Sequence, residues 1–348
     1  MSVSTLVKRI SVALCVAVAL PCVAAVVPTA EWLRTEEGRG AVENVLSWQT
    51  AAGGWPKNQP TTTKRFEPGV KLEHATFDNG ATTTELRILA RAFGVTRDAR
   101  CETAFLRGLN HILAAQYPSG GWPQFHPPPA KSYHRHITFN DGTMTRLLEL
   151  LRDVNGGGDF VFVPEALRVR CAQAFERGVA CILRCQVLVD GARTAWCAQH
   201  DEVTLEPRPA RKFELASLSG GESAGLLRLL MSIERPSPEV RRAIEAGVAW
   251  FKVAKVTGLR ETRVDGNKVM VKDAEAPPLW ARFYEIGTNR PIFAGRDGVK
   301  KYSLAEIEAE RRNGYTWFGT WGDSLLREYT RWKARIELGV ESGRIRNG

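Results

Sequence analysis

Two short polar segments carry the side chains best suited to hold a cation. Asp78 and Asn79 lie in TFDNGATTTEL, and Asn140 and Asp141 lie in TFNDGTM. Carboxylate and amide oxygens on turns are ligands that calcium prefers, whereas zinc and copper favour nitrogen and sulfur. Asp78, Asn79 and Asp141 could therefore form an open calcium site with room for substrate oxygens. The alternative is structural, because Asp and Asn also cap helices and form ordinary turns.

Arginines are concentrated in two irregular segments. Arg208 and Arg211 lie in EPRPARKFE, whereas Arg282, Arg290 and Arg296 lie in WARFYEIGTNRPIFAGRDGVKKY. A guanidinium can bind a carboxylate through two parallel hydrogen bonds, so such a group suits a polymer of sugar acids. The alternative is that each arginine ties its loop to a neighbouring acidic side chain.

Other catalytic patterns are absent from the sequence. The histidines form no HExxH or similar pair at metal-ligand spacing. There is no Gly-x-Ser-x-Gly nucleophile motif and no phosphate-binding loop. His134 and His136 alternate around Arg135, as in an extended segment, and we interpret them as structural or rim residues. These absences argue against a serine hydrolase and a nucleotide-dependent enzyme.

A repeat of about seventy residues must position the polar side chains. Four segments with helical spacing of apolar residues carry an equivalent glycine, with separations of 68, 70 and 69 residues. These glycines are Gly40, Gly108, Gly178 and Gly247. A second helical segment follows in the repeats, and its polar opening suits a helix N-cap. These second segments are 78–93, 140–154 and 219–233.

Each repeat is therefore expected to form a helix, a long loop and a second helix. Three or four such hairpins stacked side by side can close an α/α toroid, with inner helices packed against outer ones. The predicted fold class is mainly α. Equivalent loops gather at the same end of a toroid, so Asp78, Asn79 and Asp141 should lie within reach of each other.

One phrase occurs twice, as QTAAGGWPKN at 49–58 and QYPSGGWPQF at 116–125. Its tryptophan could stack against a sugar, but packing is the more common role of such a phrase. Gln-x-x-x-Gly-x-Trp resembles the phrase that braces the α/α toroid of triterpene cyclases, yet the DxDD motif of those enzymes is missing. We therefore predict that the phrase is scaffolding.

The pattern changes after about residue 255. ETRVDGNKVMVKD alternates polar and apolar residues around Asp265 and Gly266, which predicts a β-hairpin. Short aromatic pieces follow it. We expect a small antiparallel β element in the C-terminal third, laid on the toroid and not forming a separate domain.

The first residues have the layout of a secretory signal. Lys8 and Arg9 precede the apolar run ISVALCVAVAL, and small residues follow where a signal peptidase could cut, near Ala24 or Ala25. The run is short for a membrane span. We predict a signal peptide at 1–25, a single toroid catalytic domain at 26–348, no membrane association after cleavage, and a secreted or periplasmic enzyme.

The chain is basic, with a formal charge of +10 that falls to +8 once Lys8 and Arg9 are removed. An acidic polymer, an anionic surface or no partner at all would each be compatible with this charge. We expect no nucleic-acid partner, because the usual nucleic-acid motifs are absent from the sequence.

Five cysteines would remain in the mature chain: Cys101, Cys171, Cys181, Cys185 and Cys197. An odd number leaves at least one thiol unpaired or paired between chains. Their spacing matches no zinc site, and their apolar helical surroundings favour core positions.

Five segments, in the same order, resemble the family 10 polysaccharide lyases, which are pectate lyases built on an (α/α)3 toroid. The segments are GGWPKN, TFDNGATTTEL, HITFNDGTM, PARKFELASLSGGES and YEIGTNRPIFAGRDGVKKY. The resemblance spans about residues 35–330, and its longest motif surrounds GTNRPIF and GRDG. It implies cleavage of α-1,4-linked polygalacturonate by β-elimination, with calcium as the cofactor and polygalacturonate as the partner.

The resemblance also implies roles for particular residues. The metal ligands would be Asp78, Asn79 and Asp141. Arg296 would be the catalytic base, while Arg282 and Arg211 would bind substrate carboxylates. The loop that holds Arg211 can also be aligned through Arg208.

Other functions remain open at this point. The same architecture could serve another polyuronate lyase, such as one for alginate, or a glycoside hydrolase. A hydrolase would need two carboxylates across the scissile bond, whereas the matching residues are calcium ligands and arginines. A non-catalytic polyuronate-binding protein is a third possibility, against which Arg296 counts. We expect a monomer.

Overall fold

The chain is mainly helical, as the sequence predicts. The structure, a computed structural model, describes residues 28–70 and 74–345, so the signal peptide predicted at 1–25 lies outside the described residues. The α-helices of this part of the chain are α1 Ala30–Leu33, α2 Glu36–Ser47, α3 Thr83–Thr96, α4 Ala99–Ala115, α5 Thr143–Gly156, α6 Glu165–Cys185, α7 Gly220–Met231, α8 Pro238–Val253, α9 Ala309–Asn313 and α10 Trp321–Ile345.

The helices form two layers that follow the repeat. The first helices of the four units, α2, α4, α6 and α8, contact one another in that order. The second helices, α3, α5, α7 and α10, do the same in the other layer. Each unit therefore adds one helix to each layer, and its long loop connects them. This arrangement confirms the predicted α/α toroid of helical hairpins.

Three of the four helices in the first layer have side-chain N-caps, whereas α6 begins after Pro164 without one. The side chains of Thr35, Asp98 and Ser237 accept hydrogen bonds from backbone N–H groups in the first turns of α2, α4 and α8. In contrast, the residues before α3, α5 and α7 make no side-chain capping bond. The prediction that the polar openings cap the second helices is therefore wrong, and their polar groups are used in other contacts.

Short antiparallel strands run through the loops, mainly in two-stranded pairs. The longest pair, Leu259–Val264 with Asn267–Lys272, turns at Asp265 and Gly266, which both have positive φ; this confirms the predicted hairpin. The strands are β1 Ile137–Thr138, β2 Leu188–Val189, β3 Ala192–Arg193, β4 Gln199–His200, β5 Pro207–Arg208, β6 Leu218–Ser219, β7 Leu259–Val264, β8 Asn267–Lys272, β9 Trp280–Ala281, β10 Phe283–Tyr284, β11 Phe293–Ala294, β12 Lys300–Lys301 and β13 Phe318–Gly319.

The repeated glutamine ties each unit to the next. Gln49 Nε2 donates to the carbonyl oxygen of Gly53 in its own loop (2.7 Å) and to that of Ala104 in α4 (2.8 Å). Gln116 makes the equivalent pair of bonds, the second of them to Ala174 in α6. Each glutamine therefore closes its loop and joins it to the first helix of the following unit.

A buried tryptophan occupies the same place in each unit. The indole Nε1 of Trp55 donates to the carbonyl oxygen of Val45 (2.7 Å), and that of Trp122 donates to Ile112 (2.8 Å). Two further tryptophans, Trp196 and Trp280, make the same kind of bond to α6 and α8, although their loops lack the Gly-Gly-Trp-Pro phrase. The prediction of scaffolding is confirmed by these contacts.

The equivalent glycines let the tryptophan rings approach the helices. A Cβ atom at Gly108 would lie 3.0 Å from the Trp55 ring and 2.7 Å from Leu86, and Gly178 and Gly247 meet the next tryptophans in the same way. Gly40, in the first unit, has no atom within 4 Å of its would-be Cβ. The repeated glycine is therefore a packing requirement in three units only.

The five cysteines from Cys101 to Cys197 are buried and form no disulfide, as expected of core residues. In the portion of the chain that the structure covers, no helix combines the length and the apolar character that crossing a membrane would require.

We predict opposite effects of alanine at two equivalent glycines. In Gly108→Ala the added methyl group meets a fully buried ring and leucine, so the free energy of unfolding should fall by about 1–3 kcal/mol. Gly40→Ala is the matched control, and it should be neutral or stabilising by about 1 kcal/mol, because alanine favours helix and meets no neighbour. Denaturant unfolding of both variants checks this. Equal effects at the two positions would contradict it.

Candidate active site

Two neighbouring turns carry the predicted metal ligands. The segments Asp78–Gly80 and Asn140–Gly142 each form a single 3₁₀ turn, and the two turns contact each other. Asn79 and Asp141 hold equivalent positions in them, with φ of 53° and 51°. Asn and Asp tolerate this left-handed conformation better than most residues. The structure therefore brings the three predicted ligands to one place, on equivalent turns of adjacent units.

The tryptophans of the scaffold position these turns. The main-chain carbonyl oxygen of Trp55 accepts a hydrogen bond from the backbone N–H of Thr76 (3.0 Å), two residues before Asp78. Trp122 does the same for Thr138 (3.1 Å), two residues before Asn140. Each tryptophan therefore anchors the chain just ahead of a polar turn.

Asp78 is a buried carboxylate with two side-chain donors. Its side chain is 5% exposed, and its Oδ2 accepts from Lys57 Nζ at 2.5 Å and from Gln124 Nε2 at 2.6 Å. Its Oδ1 accepts from the backbone N–H of Asn79 (3.1 Å). Lys57 and Gln124 were not predicted as site residues. Each directly follows Trp-Pro in one copy of the repeated phrase, and this spacing was the available signal.

Asp141 lies in a more open position beside two other acids. Its Oδ2 accepts from Asn140 Nδ2 at 2.7 Å, and its side chain is 41% exposed. Burial raises the pKa of the Asp141 carboxyl, and Arg282 opposes this effect. The negative charges of Glu222 and Asp78 raise that pKa further. The turn pair is thus a region of concentrated negative charge.

Arg282 binds this acidic group directly. Its Nη2 lies 3.2 Å from Asn140 Oδ1, 3.5 Å from Asp141 Oδ1 and 3.1 Å from Glu222 Oε1. Burial by itself would lower the pKa of Arg282, but nearby negative charge, chiefly that of Glu222, raises it above its usual value. Glu222 is a buried acid that the sequence prediction missed. It opens α7, in the third unit.

Strand pairing places Arg282 at the start of α7. Its carbonyl oxygen accepts from the backbone N–H of Gly220 (3.1 Å), and its own N–H donates to Trp317 (2.7 Å). A Cβ atom at Gly220 would lie only 2.4 Å from the carbonyl oxygen of Ala281. Glycine is therefore required for the close approach that brings Arg282 beside Glu222.

A buried acid also holds Arg211. Glu214 accepts from Arg211 Nε (2.7 Å) and Nη2 (2.5 Å), and it accepts a further bond from the Tyr315 hydroxyl (2.7 Å). Although burial acts to raise it, the pKa of Glu214 is held below its usual value by Arg211. The same ion pair raises the pKa of Arg211. Glu214 and Tyr315 thus orient this arginine.

Two aromatic rings gather the three predicted arginines. Arg211 Cζ lies 4.7 Å from the Phe213 ring centroid, and Arg296 Cζ lies 5.7 Å from the same centroid. Arg282 Cζ lies 4.8 Å from the centroid of Tyr315, which Arg211 also approaches. Contacts of this kind between arginine and aromatic faces are attractive. The three predicted arginines therefore share one patch, next to the acidic turns.

Arg296 is the most exposed of the three. Its side chain is 63% exposed and pairs with Glu310, with bonds of 3.1 and 3.2 Å. The Glu310 carboxylate raises the pKa of Arg296. A Cβ atom at Gly295 would overlap the Glu308 carboxylate, which accepts the backbone N–H of Arg296. Glu308 and Glu310 thus fix the backbone and the side chain of Arg296.

Aromatic side chains line the same region near Asp78. The Tyr133 and His134 rings lie 4.0 Å apart, and His134 lies 5.0 Å from Phe125. All three are partly exposed. Burial, followed by the charge of Lys57, lowers the pKa of His134. These contacts agree with the rim position expected for His134.

A second group of potential metal ligands lies elsewhere, at His136, Asp201 and Glu202. Each of its acids already has an arginine partner, since Arg135 pairs with Glu202 (2.6 Å) and Arg208 with Asp201 (2.9 Å). Arg208 is therefore paired with Asp201, whereas Arg211 is paired with Glu214.

Comparisons with known proteins agree with this arrangement. The sequence profile of the family described as pectic acid lyase matches residues 49–326. The family 10 polysaccharide lyase from Cellvibrio cellulosa is 33% identical, with a TM-score of 0.77 over 87% of this chain and 95% of that one. A mutant of that lyase in complex with trigalacturonic acid is 34% identical, with the same TM-score and coverage. No curated protein matches the sequence.

The match covers the polar turns, the arginine patch and the repeat from the loop after α2 to the first turns of α10. Sequence identity above 30% over nearly the whole of the solved relatives extends it to the complete fold. This chain therefore belongs to the pectic acid lyase family, and the enzyme is a pectate lyase.

Proposed function

We propose that this enzyme cleaves α-1,4-linked polygalacturonate by β-elimination, with calcium as cofactor and an arginine as the base. The observation that carries the proposal is the contact between the acidic turns and the arginine patch. Arg282 bonds to Asn140 and lies near Asp141 while its guanidinium packs on Tyr315. A cation and several arginines can therefore reach one sugar carboxylate. The complex of the Cellvibrio lyase with trigalacturonic acid supports this choice of substrate.

The chemistry explains why so much positive charge is needed. The C5 proton of a galacturonate is α to the C6 carboxylate, and full negative charge on that carboxylate opposes its removal. Arginines that bind the carboxylate stabilise the additional charge that develops in the transition state. In our proposal Arg282 and Arg211 bind substrate carboxylates. The base then takes the C5 proton, the bond to the C4 oxygen breaks, and an unsaturated uronide is left.

The residues of the two turns fit a calcium ion. Asp78, Asn79 and Asp141 offer carboxylate and amide oxygens, and neither turn carries histidine or cysteine. We propose these three side chains as the ligands. When bound, calcium would neutralise the substrate carboxylate as a Lewis acid. In the structure, Lys57 pairs with Asp78 and Arg282 pairs with Asp141, so a positively charged side chain already lies beside each acidic ligand.

The proposal also assigns the base to one particular arginine. We propose Arg296, following the sequence resemblance, and its exposed side chain is accessible to a polymer. Arg211 is the competing candidate, because it lies on the same side of the site as the proposed ligand Asp78. The charges of both residues affect the pKa of Tyr133 and of His134. Glu310 and Glu214 raise the pKa of these two arginines, which is the opposite of what a base needs. To act as the base, either arginine must therefore leave its glutamate partner. Nearby cations in the substrate complex would then lower its pKa.

We also propose that residues 26–348 form one catalytic domain that is exported after removal of residues 1–25. The basis is the charged and apolar pattern around Lys8 and Arg9. The alternative is a lyase that cleaves another polyuronate, such as alginate, by the same β-elimination. A binding protein without turnover would keep the arginine patch but release no unsaturated product.

We predict that one arginine variant abolishes turnover while substrate still binds. In Arg296→Ala, kcat on polygalacturonate should fall by about a thousandfold, as expected for loss of a general base. Ultraviolet absorbance of the unsaturated product measures it. Arg260→Ala, which changes an exposed arginine on β7, is the control and should leave kcat unchanged.

Arg211→Ala is the discriminating comparison. If Arg211 only binds a carboxylate, this variant should mainly raise KM by about tenfold. A large loss of kcat in Arg211→Ala, together with near-normal kcat in Arg296→Ala, would transfer the role of base to Arg211. Reducing ends without ultraviolet absorbance would instead indicate a hydrolase.

We predict a pH effect from Glu310. Its carboxylate raises the pKa of Arg296, so Glu310→Gln should lower that pKa and increase the deprotonated fraction at any given pH. The rising alkaline limb of kcat/KM against pH should therefore move to lower pH. Glu239→Gln is a matched control, because Glu239 and Arg242 form an ion pair of similar exposure on α8. An unchanged limb in Glu310→Gln would argue against Arg296 as the base.

We predict that calcium binds the two turns and not the second acidic group. Asp141→Asn should weaken calcium affinity by about tenfold or more, since it removes a charged ligand. Glu202→Gln alters the group at His136 and Asp201, and it should leave calcium affinity unchanged. Calorimetric titration of substrate-free protein gives both values. Weaker binding only in Glu202→Gln would place the ion in the other group.

A further inference from the structure

We propose that Lys57 is a substrate-binding residue whose ammonium group binds a uronate carboxylate beside the Asp78 turn. This inference rests on the proposed function, because it assigns an additional contact to the same polyuronate cleft. It concerns a residue of the repeated phrase, which otherwise serves as scaffolding.

The first observation is that Asp78 Oδ2 has two donors where one would suffice. Lys57 and Gln124 occupy the same place in the two copies of the phrase, directly after Trp-Pro. Both donate to the same oxygen, at 2.5 and 2.6 Å. Lys57 is charged, and its side chain is 26% exposed, whereas Gln124 is neutral and buried.

The neutral donor is the one that is held in place. The backbone N–H of Gln124 donates to His134 (2.9 Å), and its carbonyl oxygen accepts from Phe77 N–H (3.0 Å) and from Thr76 Oγ1 (2.7 Å). Gln124 therefore keeps Asp78 oriented from a rigid position. The ammonium group of Lys57 can leave Asp78 without loss of that orientation, because its stem is flexible and its side chain is partly exposed.

The second observation is a symmetry between the two turns. Lys57 pairs with Asp78 on one turn, just as Arg282 lies near Asp141 on the other. Once a cation binds these acids, both side chains lose the full attraction of their carboxylate partners. Every unit of a polyuronate carries a carboxylate, so the cationic side chains at the two turns can each bind one.

The third observation is an aromatic wall on the Lys57 side. Lys57 Nζ lies 5.9 Å from the Phe125 ring centroid, and the His134 and Tyr133 rings continue from Phe125. These partly exposed rings offer apolar faces to a sugar ring. Lys57 would then fix the carboxylate at the edge of that ring. The arrangement defines a subsite for one galacturonate unit between the wall and Asp78.

Two variants separate charge from hydrogen bonding. Lys57→Gln makes the two copies of the phrase identical at this position. It removes the charge and shortens the side chain but keeps a hydrogen-bond donor, whereas Lys57→Arg retains the charge. Lys57→Gln should raise KM for polygalacturonate about tenfold with kcat changed less than about threefold, as loss of a charged hydrogen bond predicts. Lys57→Arg should keep KM within about threefold of the wild-type value. Lys333→Gln, an exposed lysine on α10, is the control and should leave KM unchanged.

Calcium titration of the substrate-free proteins distinguishes substrate binding from support of Asp78. Lys57→Gln should bind calcium as tightly as wild type or more tightly, because a competing cation is gone. A loss of calcium affinity that parallels the rise in KM would show that Lys57 acts only by orienting Asp78 and would overturn the proposal. An unchanged KM in Lys57→Gln would also overturn it.

The proposed function is checked first, by the release of unsaturated product from wild type. If wild type binds without turnover, calorimetry with trigalacturonic acid and calcium replaces KM, and the same ratio between wild type and Lys57→Gln decides the role of Lys57. Failure of the lyase assignment and failure of the Lys57 assignment are therefore separate results.

Discussion

The double anchoring of one tryptophan in each repeat unit is the constraint on which the rest of the structure depends. The indole of Trp55 donates to the helix behind it, and its main-chain carbonyl accepts from the segment that enters the Asp78 turn. Trp122 repeats both bonds ahead of Asn140. A buried donor or acceptor without a partner is costly, so each pair of bonds holds one helix and one turn in a single register. The scaffold and the candidate site are therefore joined through the same residues.

Close packing makes this register strict. Gly108 lies so near the Trp55 ring that a methyl group would contact it at 3.0 Å, and Gln49 links the same loop to α4. Protein interiors are packed densely, so such contacts leave few alternative positions for the loop. The repeated phrase was predicted to be scaffolding, and it is. It also contains Lys57 and Gln124, whose side chains converge on Asp78 from two units.

Buried acids organise the cationic half of the site. Glu214 and Glu222 are nearly fully buried, and each is paired with a predicted arginine, Arg211 in one case and Arg282 in the other. Buried charges need such partners, because an unpaired charge is expensive to remove from water. These ion pairs fix the positions of the two arginines at which a polyanion would bind. They also keep the pKa of Arg211 and Arg282 high, which suits carboxylate binding better than proton abstraction.

Local patterns determined much of this protein from the sequence alone. Helical spacing and the equivalent glycines predicted the hairpins and their order, and Asp265-Gly266 predicted the hairpin of β7 and β8. The same register predicted that Asp78, Asn79 and Asp141 lie together, because equivalent turns of a repeat share one end of the fold.

Tertiary structure alone decided which partners those residues have. Glu222 meets Arg282 across 60 residues of sequence, Tyr315 meets Glu214 across 101, and Gln124 reaches Asp78 across 46. The period of the repeat does not specify which of these side chains pair, although the repeated phrase marks the position of Gln124. The expected caps failed because these polar groups have other partners: Thr82 Oγ1 bonds to the backbone of Trp55 and Thr76, and Ser219 Oγ donates to Glu222. Repeat spacing specifies where a turn lies, whereas side-chain pairing depends on distances that exist only after the layers have packed.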